Sequence, residues 1–79
     1  MIPGLNTNVD RDDDRWHIQT ELTSNTPAIF TTQVFHRGAV ISTTQVSMAS
    51  DVGLGELLKA QRRAHSAVVE AVQAGRTPA

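Results

Sequence analysis

Three histidines are the residues of this chain best suited to chemistry, because three imidazoles can hold a zinc ion and leave one coordination position open. The predicted elements keep them apart. His17 falls on the polar side of a strand, His36 near the tip of a hairpin, and His65 on the apolar stripe of a helix. We expect two surface imidazoles and one that is hydrogen-bonded beneath the helix, where its titration would make stability depend on pH.

A second group of candidate ligands is acidic. Asp10, Asp12 and Asp14, followed by Glu21, have the spacing of the carboxylates in a calcium-binding EF-hand loop. Arg15 stands where that loop needs glycine, and neither flank has a helical pattern. These residues are better interpreted as a solvated charge run, so no metal site is predicted.

Nucleophilic catalysis is poorly supported. Ser66 adjoins His65, but adjacent helical residues point about 100° apart and cannot face each other. The segment 53–55, Gly-Leu-Gly, is too short for a phosphate-binding loop, and the chain has no cysteine. The sequence therefore predicts a protein that is not an enzyme and binds no cofactor.

Length and composition predict one small soluble domain. A chain of 79 residues buries only roughly 60% of the surface that it exposes when unfolded, so oligomerisation is the natural supplement to its core. Seven basic and eight acidic side chains give a balance that argues against general binding to a phosphate backbone. No apolar run approaches the roughly 20 residues of a membrane helix, and no signal peptide is visible, so we expect a cytoplasmic protein without membrane contact.

Hydrophobic periodicity predicts three strands after a polar arm. Residues 1–15 carry a charge run without an apolar face, so we expect a flexible acidic arm. Residues 16–22 alternate between apolar and polar, which indicates a half-buried strand that ends at the turn formers of 23–27. Two further strands are predicted over 28–35 and from 39 to about 48, joined by a turn at Gly38.

A long helix should follow, starting at Ser50 or Asp51 as N-cap and running to about Ala74, with Gly75 in the left-handed position after it. The predicted fold is α+β: a three-stranded antiparallel meander with this C-terminal helix on one face. Residues 16–76 form the single domain, and 77–79 form a tail. The apolar stripe of the helix, interrupted by two polar residues, consists of Leu54, Leu57, Leu58, Gln61, Ala64, His65, Val68 and Val72.

The hairpin contains a repeat, since Thr-Thr-Gln-Val occurs at 31–34 and again at 43–46. A two-residue turn at Arg37-Gly38 would place the two copies on opposite faces of the sheet. A three-residue loop would place them on the same face. The sequence leaves both registers open, and in either one the face opposite the helix keeps apolar residues.

Four segments together resemble short uncharacterised proteins from Gram-negative bacteria. They are the residues Trp16–Glu21, Thr32–Gly38, Gln61–His65 and Ala74–Arg76. The resemblance covers residues 16–76 and contains no catalytic signature. It implies a bacterial, cytosolic and non-enzymatic protein, and it transfers no functional residues.

The function predicted from these patterns is a small protein-interaction module that forms a homodimer and binds an unidentified protein partner. A spare face of the sheet, or the helix flank around Val69 and Val72, is expected to meet the second copy. The residues predicted to divide between core and interface are Phe30, Val34, Phe35, Leu57, Leu58, His65, Val68 and Val72.

The alternative is a nucleic-acid-binding protein. Two-stranded ribbons can enter a major groove, where Gln33 and Gln45 would reach bases while Arg37, Arg62 and Arg63 meet phosphates. The near-neutral charge and the single predicted helix argue against it, because a ribbon-helix-helix protein needs a second helix.

Overall fold

The computed structural model describes residues 2–49 and 51–76 as an antiparallel sheet crossed by one helix. The sheet has four strands in the order β1-β2-β3-β4, and the helix α1 follows the last of them. The α+β class and the C-terminal helix are confirmed. The elements are β1 (Leu5–Arg11), β2 (Asp14–Asn25), β3 (Ala28–His36), β4 (Ala39–Met48) and α1 (Leu54–Gln73).

The prediction of three strands was wrong, because β1 lies in the segment expected to be a flexible arm. Of its seven residues only Leu5 and Val9 are apolar, so the period-2 signal is weak. Asp12 and Asp13 both take positive φ, of 55° and 62°, and form the two-residue turn into β2. Aspartate tolerates this left-handed conformation better than most residues, which is how a charge run closes a hairpin.

A bulge in β4 determines the register of the repeat. Arg37 and Gly38, with φ of 54° and 80°, form a two-residue turn. Val34 then pairs with Ser42 while Phe35 pairs with Val40, which leaves Ile41 as the extra residue in the ladder. Both copies of the repeat therefore present matching residues to the same face, although the turn is the two-residue type that would otherwise have separated them.

The core lies between α1 and the first three strands. Ile18 of β2 pairs with Val34 of β3, Val9 of β1 lies diagonally next to Ile18, and Val68 and Val72 of the helix pack on them. Three strands alternate buried and accessible residues as amphipathic strands do, whereas β4 keeps one buried residue, Ser42.

The helix begins after Gly53, which is its N-cap without a side-chain hydrogen bond, so the predicted cap at Asp51 was wrong. The other predicted cap, Ser50, and the tail 77–79 lie outside the described residues. At the other end Gly75 has φ of 81° and donates its N–H to Val72 O at 3.0 Å, which confirms the predicted left-handed position. Within residues 2–49 and 51–76, no helix combines the length and apolar character needed to cross a membrane.

Candidate functional site

The outer edge of β4 is the most exposed apolar feature of the sheet. This strand has ten residues, and residues 38–50 include no charged side chain. Val40, Ile41 and Val46 are 49%, 39% and 40% exposed. Natural sheets protect their edges with charges, prolines, bulges or short strands, and β4 has only the bulge at Ile41 near its start.

An apolar groove runs beside this edge, on the face of the sheet that carries the helix. Its floor is formed by three β4 side chains, Thr44, Val46 and Met48. Two depressions of about 440 Å³ and 330 Å³ make up the groove, and they share Val46 and Ala64 in their linings. The side wall of the groove belongs to α1 and consists mainly of Ala60, Ala64, Ala67, Val68 and Ala71.

The alanines explain why the groove stays open. Positions 60, 64, 67 and 71 recur at intervals of four and three residues, so they lie along one side of α1. Val68 and Val72, which are larger, pack instead against β1, β2 and β3 and enter the core. A methyl group cannot reach across to β4, so that strand remains uncovered.

Charged side chains stand at both ends of the groove. Glu56 and Arg63 are at the end near Met48, and Arg76 is at the end near Thr44. Lys59 Nζ lies 3.6 Å from Glu56 Oε1 and compensates that carboxylate. Within the part of the chain that the structure describes, the side chains of Arg63 and Arg76 make no ion pair or hydrogen bond. The groove therefore has uncompensated positive charge at both ends.

The opposite face of the sheet is mainly polar, although Ile29, Phe35 and Val40 also lie on it, and its polar side chains are bonded to one another. His17 has its two ring nitrogens 2.8 Å from Asn8 Oδ1 and 3.1 Å from Asn6 Oδ1. Arg15 Nε donates to Asp10 Oδ1 at 2.9 Å, and this contact lowers the pKa of Asp10. Polar side chains that already pair across the strands have less to gain from a partner than the apolar β4 edge has.

Most of the predicted interface residues lie inside the chain. Phe30, Val34, Val68, Val72 and His65 are buried in the monomer, so among the residues predicted to divide between core and interface these five belong to the core. Three others are half-buried: Phe35 on the polar face, and Leu57 and Leu58 near the start of α1. Val69 packs against the core with Val72, so the helix flank proposed from sequence is not free.

His65 is the centre of a buried polar cluster. Its Nε2 lies 2.7 Å from Thr7 Oγ1 and its Nδ1 lies 2.8 Å from Thr20 Oγ1, which in turn is 2.8 Å from Thr32 Oγ1. Burial, and secondarily the charge of His17, lower the pKa of His65. This confirms the expected hydrogen-bonded imidazole beneath the helix, and the cluster links β1, β2, β3 and α1.

The remaining histidine, His36, is not a simple surface residue. Its ring stacks on Trp16 with centroids 3.9 Å apart, and its Nε2 donates to Asp14 Oδ2. This hydrogen bond, with help from Arg37, lowers the pKa of Asp14. The three histidines thus lie in three separate environments, and the described residues contain no group of three or more His, Cys, Asp or Glu placed to hold a metal.

The residues of the nucleic-acid alternative do not form one surface. Gln33 and Gln45 lie on the polar face of the sheet, where Gln45 Nε2 donates to Thr31 Oγ1 at 3.2 Å. Arg62 and Arg63 are exposed on α1, which covers the other face. Arg37 lies apart from both sets, at the β3–β4 turn, where its Nη2 is 3.4 Å from Asp14 Oδ2.

Sequence reasoning missed the residues of the β4 edge and of the alanine wall. Two signals were present: the uncharged run 38–50, and the alanines at helical spacing. Neither signal could be interpreted until the structure showed that β4 is an edge strand that the helix does not cover. The chain matches no protein-family model, no curated protein and no solved structure. Its function is therefore inferred from its own geometry.

Proposed function

We propose that this chain is a homodimeric protein-interaction module whose two copies join through their β4 strands. The observation that carries the proposal is the ten-residue edge without a charge, exposed at Val40, Ile41 and Val46. Left open, such an edge is a template for aggregation, and pairing with a second copy protects it. In this proposal the chain is a non-enzymatic protein of the bacterial cytoplasm.

Two copies of β4 that pair in antiparallel orientation are related by a two-fold axis, because each strand presents the same edge to the other. The bulge at Ile41 interrupts the ladder near the turn, so the regular part available for pairing is residues 42–48. Two four-stranded sheets would then become one sheet of eight strands. The backbone groups that now point outward from β4 would gain partners.

Strand pairing alone buries less surface than a typical stable interface, so we expect dissociation in the micromolar range. Sedimentation velocity over a micromolar concentration series tests this, with a dimer expected at the upper end. Val46→Lys places a charge on the edge strand and should give a folded monomer. A dimer of V46K with unchanged dissociation constant would contradict the pairing.

The matched control is Leu54→Lys. Leu54 is another exposed apolar residue, but it lies at the start of α1 and outside β4 and the groove. L54K should dimerise as the parent chain does. A parent chain that stays monomeric at every concentration would overturn the proposal.

A further inference from the structure

We infer that the dimer binds an amphipathic helix of a partner protein, with acidic residues beside its apolar stripe, in the trough between its two α1 helices. This inference rests on the proposed dimer, because one chain supplies only one wall of the trough. The floor would be the pair of β4 strands, and each wall would be the alanine side of one α1.

The spacing of the strands sets the width of the trough. Because α1 lies over β1, β2 and β3, its axis is centred near β2. With strands about 4.8 Å apart, β2 lies about 12 Å from the dimer seam, so the two α1 axes would be about 24 Å apart. Packed helices are only about 8 to 10 Å apart, so the two α1 helices would not touch.

That width matches one additional helix. A helix with its side chains is about 10 Å across, so two α1 axes about 24 Å apart leave about 14 Å between their surfaces. A single helix on the seam would lie about 12 Å from each α1 axis, close enough for long side chains to reach the alanine walls.

The chemistry of the trough selects a helix over an extended peptide. Pairing of the two β4 strands uses the backbone groups of both edges, so an extended occupant would find no ladder to join. A helix satisfies its own backbone and needs only an apolar surface, as in other helix-in-groove complexes. Val46, Met48 and the alanines, facing it from both copies, provide that surface.

The charges at the rim select an acidic partner. Each chain contributes Arg63 and Arg76, whose guanidinium groups are uncompensated, while Glu56 is already compensated by Lys59. The two-fold axis would place the Arg63 end of each groove beside the Arg76 end of the groove in the other chain. Positive charge would therefore stand at both ends of the trough, and carboxylates flanking the apolar stripe of the bound helix would meet it.

The test uses a designed, fluorescently labelled helical peptide with leucine at heptad positions a and d and glutamate on the flanks. A second peptide has lysine in place of every glutamate. Fluorescence anisotropy should show saturable binding of the glutamate peptide to the full chain, about tenfold tighter than the lysine peptide. Arg76→Glu should reduce this preference. Sedimentation of the same samples records the oligomeric state independently.

Two substitutions one residue apart locate the binding site. Ala67→Glu puts a carboxylate into the trough and should abolish binding of the glutamate peptide while the dimer persists. Ser66→Glu is the matched control, because Ser66 is exposed on α1 but points about 100° away from the groove. S66E should bind the peptide as the parent chain does. Equal loss in both variants would overturn the assignment of the site.

The two measurements separate the failure of this inference from the failure of the dimer. A dimer that binds neither peptide, or both equally, overturns the acidic helical partner and leaves the proposed function standing. A monomer overturns the dimer and the trough together. A species heavier than the dimer would mean that further copies of this chain fill the trough, which also overturns the inference.

Discussion

The two edge strands of the sheet, β1 and β4, differ in how they contact the rest of the molecule. β1 is short and carries Asp10 and Arg11, and hydrogen bonds join it or the residues just before it to the helix at three positions. Pro3, just before it, accepts a hydrogen bond from Gln61 Nε2 at 2.9 Å, and Thr7 meets His65. Arg11 Nη1 donates to Val72 O at 2.5 Å, which places a cation on a helix C-terminal carbonyl that also accepts from the Gly75 N–H.

β4 has the opposite character. It is three residues longer than β1 (10 − 7), uncharged, and placed beyond the area that α1 covers. Gln45, on the face opposite the helix, is bonded to Thr31 of β3. One edge is short, charged and bonded to the helix, and the other is long, uncharged and exposed.

A chain with one closed and one open edge can extend its sheet only once. Two such chains that meet by their open edges leave the closed edges outside, so growth stops at the dimer. A chain with two open edges would continue into a fibre. In the proposed dimer, the contacts of β1 with the helix would therefore be as important for a finite assembly as the bare edge of β4.

The largest expected effect comes from making the same substitution on both edges. Val9 of β1 and Val46 of β4 both face the helix side, but Val9 is 5% exposed and belongs to the core. Val9→Lys buries a charge without a partner, and we expect a loss of several kcal/mol, enough to unfold so small a domain. Circular dichroism and thermal denaturation would report it.

Val46→Lys is the control for this experiment, since Val46 is 40% exposed. Its lysine can reach water, so the monomer should change in stability by less than about 1 kcal/mol. If V46K unfolds as V9K does, or if V9K folds normally, the two edges do not differ as described.

An intermediate effect is expected from His65→Leu, which removes the imidazole that holds β1 to the helix. The hydroxyls of Thr7 and Thr20 would lose a buried partner, and we expect a loss of about 2 kcal/mol in the free energy of unfolding. Urea denaturation in the V46K background measures it, because unfolding of a monomer is independent of concentration.

His17→Leu is the comparison variant, because that imidazole lies on the polar face, where its contacts with Asn6 and Asn8 are exposed. It should change the stability by less than about 1 kcal/mol. Equal losses in H65L and H17L would show that the buried cluster has no special role in closing the β1 edge.

The difference between the edges also explains what could be predicted from the sequence. β2, β3, β4 and α1 were found because period-2 or helical spacing of apolar residues marks them directly. β1 was missed because Leu5 and Val9 are its only apolar residues. Its order depends on Thr7 and Arg11, which are bonded to helix residues 58 and 61 positions away, and no local pattern encodes such contacts.

The candidate site was hidden for a related reason. Val40 and Ile41 are both β-branched, so the sequence does not reveal which of them is the extra residue of the bulge, and the register of the repeat stayed open. Without that register, Phe30 and Val34 could not be sorted into core or interface. The uncharged run was visible, but an uncharged strand is equally typical of the middle of a sheet.

The smallest expected effect is a dependence of stability on pH that arises from His65, which contacts β1. Burial lowers the pKa of His65 below its ordinary value of 6.5, so the unfolded chain takes up a proton before the folded one. The stabilisation is therefore complete above pH 6.5 and is lost as pH falls from there through the folded pKa. Urea denaturation of V46K at pH about 7.5 and about 5.5 should show the decrease.

The same measurement on H65L in the V46K background should give a smaller decrease, because the group that couples folding to the proton is gone. The lowered pKa values of Asp10 and Asp14 act only below their ordinary value of 3.8, so they do not enter this window. β4 has no titratable side chain, so the dissociation constant of the parent dimer should change little over the same range. If the dissociation constant of the parent dimer rises steeply as pH falls, while the V46K monomer keeps its stability, the proton-sensitive contact lies at the β4 edge instead. That result would contradict the assignment of the pH dependence to the β1 side.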